Sequence, residues 1–266
     1  MKITIAGCGN MGLIYARAFL KYNIVSKENL FLAEKNEQRR DVLKEMQTGI
    51  VTTVNDPAIS ESDIIILAVK PQDFDDLATS LKSVVTDKNL LVSIMAGITM
   101  KYISEKLNND RVVRAMPNSA AEFGMGITGY TCSPKLSMEE VHKADNLLAT
   151  TGRIIFFENE DMLNAVTALS GSGPAYFFYV LKNMIEAGMK MGMTENVATT
   201  LVKQTMLGSF HLINDQGKSL DDLIKAVASK GGTTEAAFKI FEQENIGSNL
   251  QKGILRASER AKELAK

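Results

Sequence analysis

Hydrophobic and polar positions alternate with two different periods in the two parts of the chain. Up to about residue 157, short apolar runs bounded by turn residues alternate with helical spacings. Lys2 to Ala6 (KITIA) is β-branched and alternating, as a buried strand requires. Met11 to Lys21 follows with apolar residues at helical intervals. Further strands are predicted at 29–33, 50–54, 63–69, 89–95, 111–116, 126–131 and 153–157. Asp63 to Val69 (DIIILAV) is apolar without alternation, the pattern of a central parallel strand covered on both faces. Helices are predicted after 35, over 99–107 with Thr99 as cap, and over 137–150. From Glu160 onward only helical spacing remains, with helices at 175–191, 195–214, 220–227, 235–243 and 247–264. The stretch LSGSGP (169–174) punctuates the change, with Pro174 at a helix start. The boundary between a sheet-bearing domain, 1–159, and an all-helical domain, 160–266, follows from this switch of period.

The first strand and first helix enclose Gly7, Cys8, Gly9, Asn10, Met11 and Gly12, the pattern G-x-G-x-x-G. In that setting the first glycine makes a tight turn, the second admits a pyrophosphate, and the third lets helix approach strand. The helix start then offers free N–H groups to the phosphates. Glu34 ends the second strand, about 20 residues beyond the turn, where an acid would hold adenosine ribose hydroxyls. Lys35, Arg39 and Arg40 follow at once and could instead meet a 2′-phosphate, or form a solvated helix start. Lys70, after Ala68 and Val69 at the end of the central strand, is aimed at the ligand crevice beyond the strand ends.

Composition narrows the picture. The chain of 266 residues has a net charge of −1, which gives no reason to expect nucleic acid or an anionic membrane as partner. No window is apolar enough to cross a bilayer, and Gly7, Gly9 and Asn10 interrupt the only leader-like run, so a cytoplasmic protein is expected. Two cysteines, Cys8 and Cys132, read as reduced thiols. His142 and His211 each stand alone, so neither a metal site nor a His-based triad is expected. The helix 175–191 is apolar over too wide a surface for a small monomeric domain, which predicts that the core is completed on a second chain. Ser229-Lys230-Gly231-Gly232-Thr233-Thr234 precedes a helix and reads as an anion nest for a carboxylate substrate, or as a flexible turn.

The stretches GCGNMG, DIIILAVKP, SIMAGIT, RVVRAMPNSAA, ALSGSGPAYFF and SKGGTT, in this order, resemble pyrroline-5-carboxylate reductases over nearly the whole chain. The resemblance implies an α/β fold, with a Rossmann-type doubly wound sheet followed by an all-α dimerisation domain. It implies reduction of 1-pyrroline-5-carboxylate to L-proline with NADPH or NADH, as the last step of proline biosynthesis. It also implies a homodimer, often assembled further into a decamer. By position, Asn55, Val69, Lys70 and Ala96, with Gly97 beside it, match cofactor contacts of the family. Glu160, Thr233 and Thr234 match positions near the substrate, with Thr234 placed to bond the ring nitrogen. The chain departs from the family pattern at Lys230, where proline is usual, at Ala226, and at Lys218-Ser219, where His-Pro is usual. A reductase of another cyclic imine or small keto acid, or a non-catalytic nucleotide-sensing dimer, are the alternatives.

Overall fold

The computed structural model describes residues 1–215 and 217–266, which fall into two compact units. The first comprises Met1–Ser172 together with Ala257–Lys266, the second Gly173–Arg256. The period switch at residue 160 therefore precedes the division between units, and the final ten residues belong with the sheet.

In chain order the elements of the first unit are β1 (Ile3–Ala6), α1 (Asn10–Lys21), β2 (Leu30–Ala33), α2 (Glu37–Glu45), β3 (Ile50–Thr52), β4 (Ile64–Leu67), α3 (Phe74–Leu81), β5 (Leu90–Ser93), α4 (Met100–Leu107), β6 (Val112–Met116), β7 (Gly126–Cys132), α5 (Met138–Leu148), β8 (Gly152–Phe156) and α6 (Met162–Val166). The eight strands form one sheet in the order β3-β2-β1-β4-β5-β6-β7-β8. All neighbours are parallel except β6 and β7, which run antiparallel. The strand order reverses between β1 and β4, and in such sheets a ligand crevice opens there, beyond the carboxyl ends of the strands.

The unbroken apolar run of β4 serves two cores. Ile64 and Ile66 face the cluster that holds Leu13, Phe19 and Leu147; Ile65 and Leu67 face the cluster of Phe74, Leu77, Leu81, Ile103 and Leu107. Each buried isoleucine contributes about 1.5–3 kcal/mol. Thr99 caps α4 as expected, its hydroxyl accepting the Tyr102 N–H at 3.2 Å.

Two features differ from the sequence reading. The segment Thr167–Gly171, read as a punctuating loop, is a turn of π-helix that runs from α6 into the next helix. The polypeptide also returns to the first unit: Lys266 N–H donates to Gly97 O at 2.9 Å, and the Lys266 carbonyl accepts from Thr99 N–H at 3.1 Å. The Lys266 ammonium lies 3.0 Å from Asp75, which also binds Tyr102 and Lys106; these three partners hold the Asp75 carboxyl far below the usual carboxylate range.

The second unit carries α7 (Gly173–Lys190), α8 (Glu195–Asp215), α9 (Leu220–Val227), α10 (Thr233–Gln243) and most of α11 (Ile246–Glu263). A side chain at Gly188 would meet the Ala198 Cβ at 2.9 Å, so glycine is what lets α7 and α8 approach. Among the described residues of this unit, Ala198 and Val202 are the only buried apolar side chains. Phe177, Phe178, Tyr179, Leu207 and Phe210 all stand at least half exposed.

Candidate functional site

The strand ends at the reversal point build a cleft of about 550 Å³. Three loops supply its floor: Gly7-Cys8-Gly9 after β1, Ala33-Glu34-Lys35 around the end of β2, and Ala68-Val69-Lys70 after β4. Two ladder bonds extend past the strands and hold these loops side by side, Gly7 N to Ala33 O at 3.0 Å and Ala68 N to Ala6 O at 2.9 Å.

The glycine turn meets a geometric test for a dinucleotide. Gly7 has φ +98°, and a Cβ there would lie 2.5 Å from the Val69 side chain. A Cβ on Gly12 would lie 2.4 Å from Gly7 O, so only glycine lets α1 pack this close. Around Gly9, by contrast, nothing lies within 4 Å of the Cβ position, so the backbone is open to an approaching group. Close packing at the outer glycines and open space at the middle one are the three roles of this fingerprint. The N–H groups of Asn10, Met11 and Gly12 lie in the first turn of α1 and have no intrahelical partner, which leaves them for phosphate oxygens.

Eight of the residues expected at a cofactor site line this cleft: Gly7, Cys8, Gly9, Glu34, Lys35, Ala68, Val69 and Lys70. Cys8 contributes backbone only. Its thiol is buried, and burial with Glu34 nearby pushes it up to about 12, so it stays protonated and unreactive. Asn55 is exposed and follows Val54, which does line the cleft. Ala96 and Gly97 are outside the lining; Gly97 has φ +73°, and a Cβ there would meet Leu264 O at 3.2 Å. Gly97 therefore makes room for the returning C-terminal segment.

The sequence reading missed the far wall, formed by Asp73, Asp76, Leu77, Thr79 and Ser80 on and before α3. Its signal was topological: a helix that starts just after the strand across the reversal point presents its first turns to the crevice. The basic residues after β2 are all engaged. Arg39 Nη2 donates to Cys8 O at 3.1 Å, and Arg40 Nη1 donates to the carbonyls of Glu34 and Lys35 at 3.2 and 2.8 Å. Lys35 lies 3.6 Å from Asp76.

Glu160, whose position matches one near the substrate in the family, makes its contacts to Arg114 and Met100. Its Oε1 accepts from Arg114 Nη1 and from Met100 N–H, both at 2.8 Å. It belongs to the first unit, whereas Ser229–Thr234 belong to the second.

The loop before α10 is also not the empty nest its glycines suggested. The Gly231 N–H donates to the Glu235 carboxylate, and the Gly232 N–H donates to Ser229 O at 3.0 Å. The Glu235 carboxyl is held below its usual range, first by Gly231 and then by Lys239. Donors left by the helix geometry are the N–H groups of Thr233, Thr234 and Glu235. Gly232 is the N-cap residue and no side chain bonds the helix start, so Thr234 does not cap α10.

Among the described residues no cluster of His, Cys, Asp or Glu could hold a metal ion, and no helix is long and apolar enough to cross a membrane. A reversal-point cleft with a glycine turn and an acid after β2 defines a dinucleotide-dependent oxidoreductase, and residues 2–97 match the family described as NADP oxidoreductase, coenzyme F420-dependent. Residues 160–264 match the pyrroline-5-carboxylate reductase dimerisation family. The chain belongs to the pyrroline-5-carboxylate reductases: it is 35% identical over 269 residues to the enzyme of that name from Methanosarcina acetivorans, covering 100% of this chain and 98% of the relative. It is similar in structure to a pyrroline-5-carboxylate reductase from Coxiella burnetii, with a TM-score of 0.87 and 31% identity over 100% of this chain and 98% of that one. The pyrroline carboxylate reductase of Plasmodium falciparum, solved with NADP bound, superposes with a TM-score of 0.89 at 25% identity, again over 100% and 98% of the two chains.

Proposed function

We propose that the protein reduces 1-pyrroline-5-carboxylate to L-proline, the last step of proline biosynthesis, with NADPH as reductant and NADH as alternative. The observation that carries this reading is the similarity to reductases of that name along the whole chain. The glycine turn and cleft support the cofactor half of it.

When bound, a reduced nicotinamide would supply hydride to the imine carbon, which accepts it readily once the ring nitrogen is protonated. The chain's residues bind and orient. The N–H groups of Asn10, Met11 and Gly12 would hold phosphate, Glu34 would lie at the adenosine ribose, and Ala68 and Val69 form an apolar wall. In the second unit, the N–H groups of Thr233 and Thr234 take the substrate carboxylate, with the Lys230 charge beside them. The Thr234 hydroxyl bonds the ring nitrogen in imine and amine forms, and water completes the proton transfer. Ser229 shapes the loop through its carbonyl bond to Gly232.

The reading includes a cytoplasmic homodimer, which the exposed apolar faces of α7 and α8 support, and its further assembly into a decamer. The test is oxidation of NADPH, and separately of NADH, in the presence of pyrroline-5-carboxylate. Turnover supports the assignment; turnover only with other cyclic imines overturns the substrate, and dinucleotide binding without turnover overturns the enzyme.

A further inference from the structure

One ion pair crosses the mouth of the cleft. Lys35, in the loop after β2, places Nζ 3.6 Å from Oδ2 of Asp76, in the first turn of α3, and both residues line the cleft. Glu34 is their neighbour on the β2 side, its carboxylate accepting the Asn36 N–H at 3.0 Å. Asp73 adds a further carboxylate to the lining, and Lys70 is the second ammonium, after β4.

The acid that follows β2 marks where the adenosine ribose of a dinucleotide lies. A 2′-phosphate on that ribose is dianionic and needs a cation at this end of the cleft. Arg39 and Arg40 are turned onto backbone carbonyls, and Lys70 stands at the other strand end. Lys35 is the remaining candidate, and it is held by Asp76.

We propose that Asp76 is a specificity-determining residue for the dinucleotide: by engaging Lys35 and setting a carboxylate beside it, Asp76 weakens binding of NADPH relative to NADH. The proposal rests on the reading of the cleft as the dinucleotide site. Both side chains are mostly in solvent, 61% and 80% exposed, so the pair is loose and can be displaced. Its effect is accordingly a tuning of selectivity and is larger at low ionic strength.

The test is calorimetric binding of NADH and NADPH, without substrate, to the wild type, Asp76→Asn, Lys35→Gln and the double variant. Asp76→Asn is expected to raise the preference for NADPH over NADH by about two- to fivefold, the range an exposed charge pair commands. In the Lys35→Gln background the same change should have much less effect, because the two residues act as one unit. Equal shifts for both dinucleotides overturn the proposal. So does an effect of Asp76→Asn that persists in full without Lys35, or a lowered melting temperature with an unchanged preference, which would make Asp76 only a first-turn acid of α3. If the wild type binds neither dinucleotide, the reading of the cleft falls first; if it binds both and the preference stays fixed, Asp76 alone loses its role.

Discussion

Arg114 on β6 is 3% exposed and donates Nη1 to Oε1 of Glu160 at 2.8 Å, so among the described residues the carboxylate bonded to this guanidinium comes from beyond the last strand. The same oxygen accepts the Met100 N–H at the start of α4. Glu160 thus joins β6, α4 and the segment before α6, a structural duty that its position in the family pattern did not suggest. Removing it strands a buried charge, which costs 3–5 kcal/mol where the pair is wholly dry. The Glu160 side chain is 24% exposed, so some of that is recovered by water. Glu160→Ala should destabilise the first unit by about 2–3 kcal/mol in denaturant unfolding, with Glu160→Gln milder because the amide oxygen still accepts. A variant of wild-type stability with a raised KM for substrate would show instead that Glu160 acts at the substrate.

Thr234 offers a cleaner separation of activity from stability. Because Gly232 is the N-cap of α10, loss of the Thr234 hydroxyl removes no cap. One hydrogen bond to a charged group is worth about 1.5–3 kcal/mol. Thr234→Ala should therefore lower kcat/KM by roughly 10- to 100-fold and leave the melting temperature within about a degree. Steady-state kinetics and a thermal scan on one preparation decide it; a fall in stability with full activity would reverse the assignment.

The two thiols make the alkaline limb of stability predictable. Burial raises both Cys8 and Cys132 from an ordinary value of 9.0 to about 12, with Glu34 and Asp145 respectively adding to the effect. The folded chain therefore keeps protons that the unfolded chain loses. Stability from this source is complete below pH 9 and declines as pH rises from 9 towards 12. Unfolding midpoints across that window should fall for the wild type and fall less for Cys8→Ala. Native Cys8 should also resist iodoacetamide at neutral pH until the chain is denatured.

Phe178 on α7 is 67% exposed within a helix whose neighbours Phe177 and Tyr179 are as exposed. An apolar surface of this kind is stable in water only when covered. Sedimentation at micromolar concentration should show no monomer, and Phe178→Asp should release monomer and reduce activity. A stable, active wild-type monomer would count against the dimer.

Local signals in the sequence were sufficient for most of the framework. The β-branched Ile3–Ile5 strand, the three glycines and the Thr99 cap each act through neighbours a few residues away, and each stands where its chemistry puts it. The apolar DIIILAV run was legible as a two-faced strand because both faces of β4 are covered. What escaped was what depends on partners distant in sequence. Glu160 finds Arg114 46 residues away, and Asp76 reaches the cleft only because α3 follows the strand across the reversal point. At the loop before α10 the local partner was missed for a nearer reason: Glu235, in the first turn of α10, accepts the Gly231 N–H.

The bonds from Lys266 to Gly97 and Thr99 span 167 residues of chain at the nearer contact. The sheet-bearing unit is assembled from both ends of the described polypeptide, with the helical unit spliced between them. A nascent chain emerging from a ribosome makes all eight strands early, yet the Ala96–Thr99 turn must wait for residues 257–266 before its bonds are closed. Up to that moment the turn keeps its N–H and C=O groups in water. In the order of synthesis, then, the unit that starts before the helical one is completed after it.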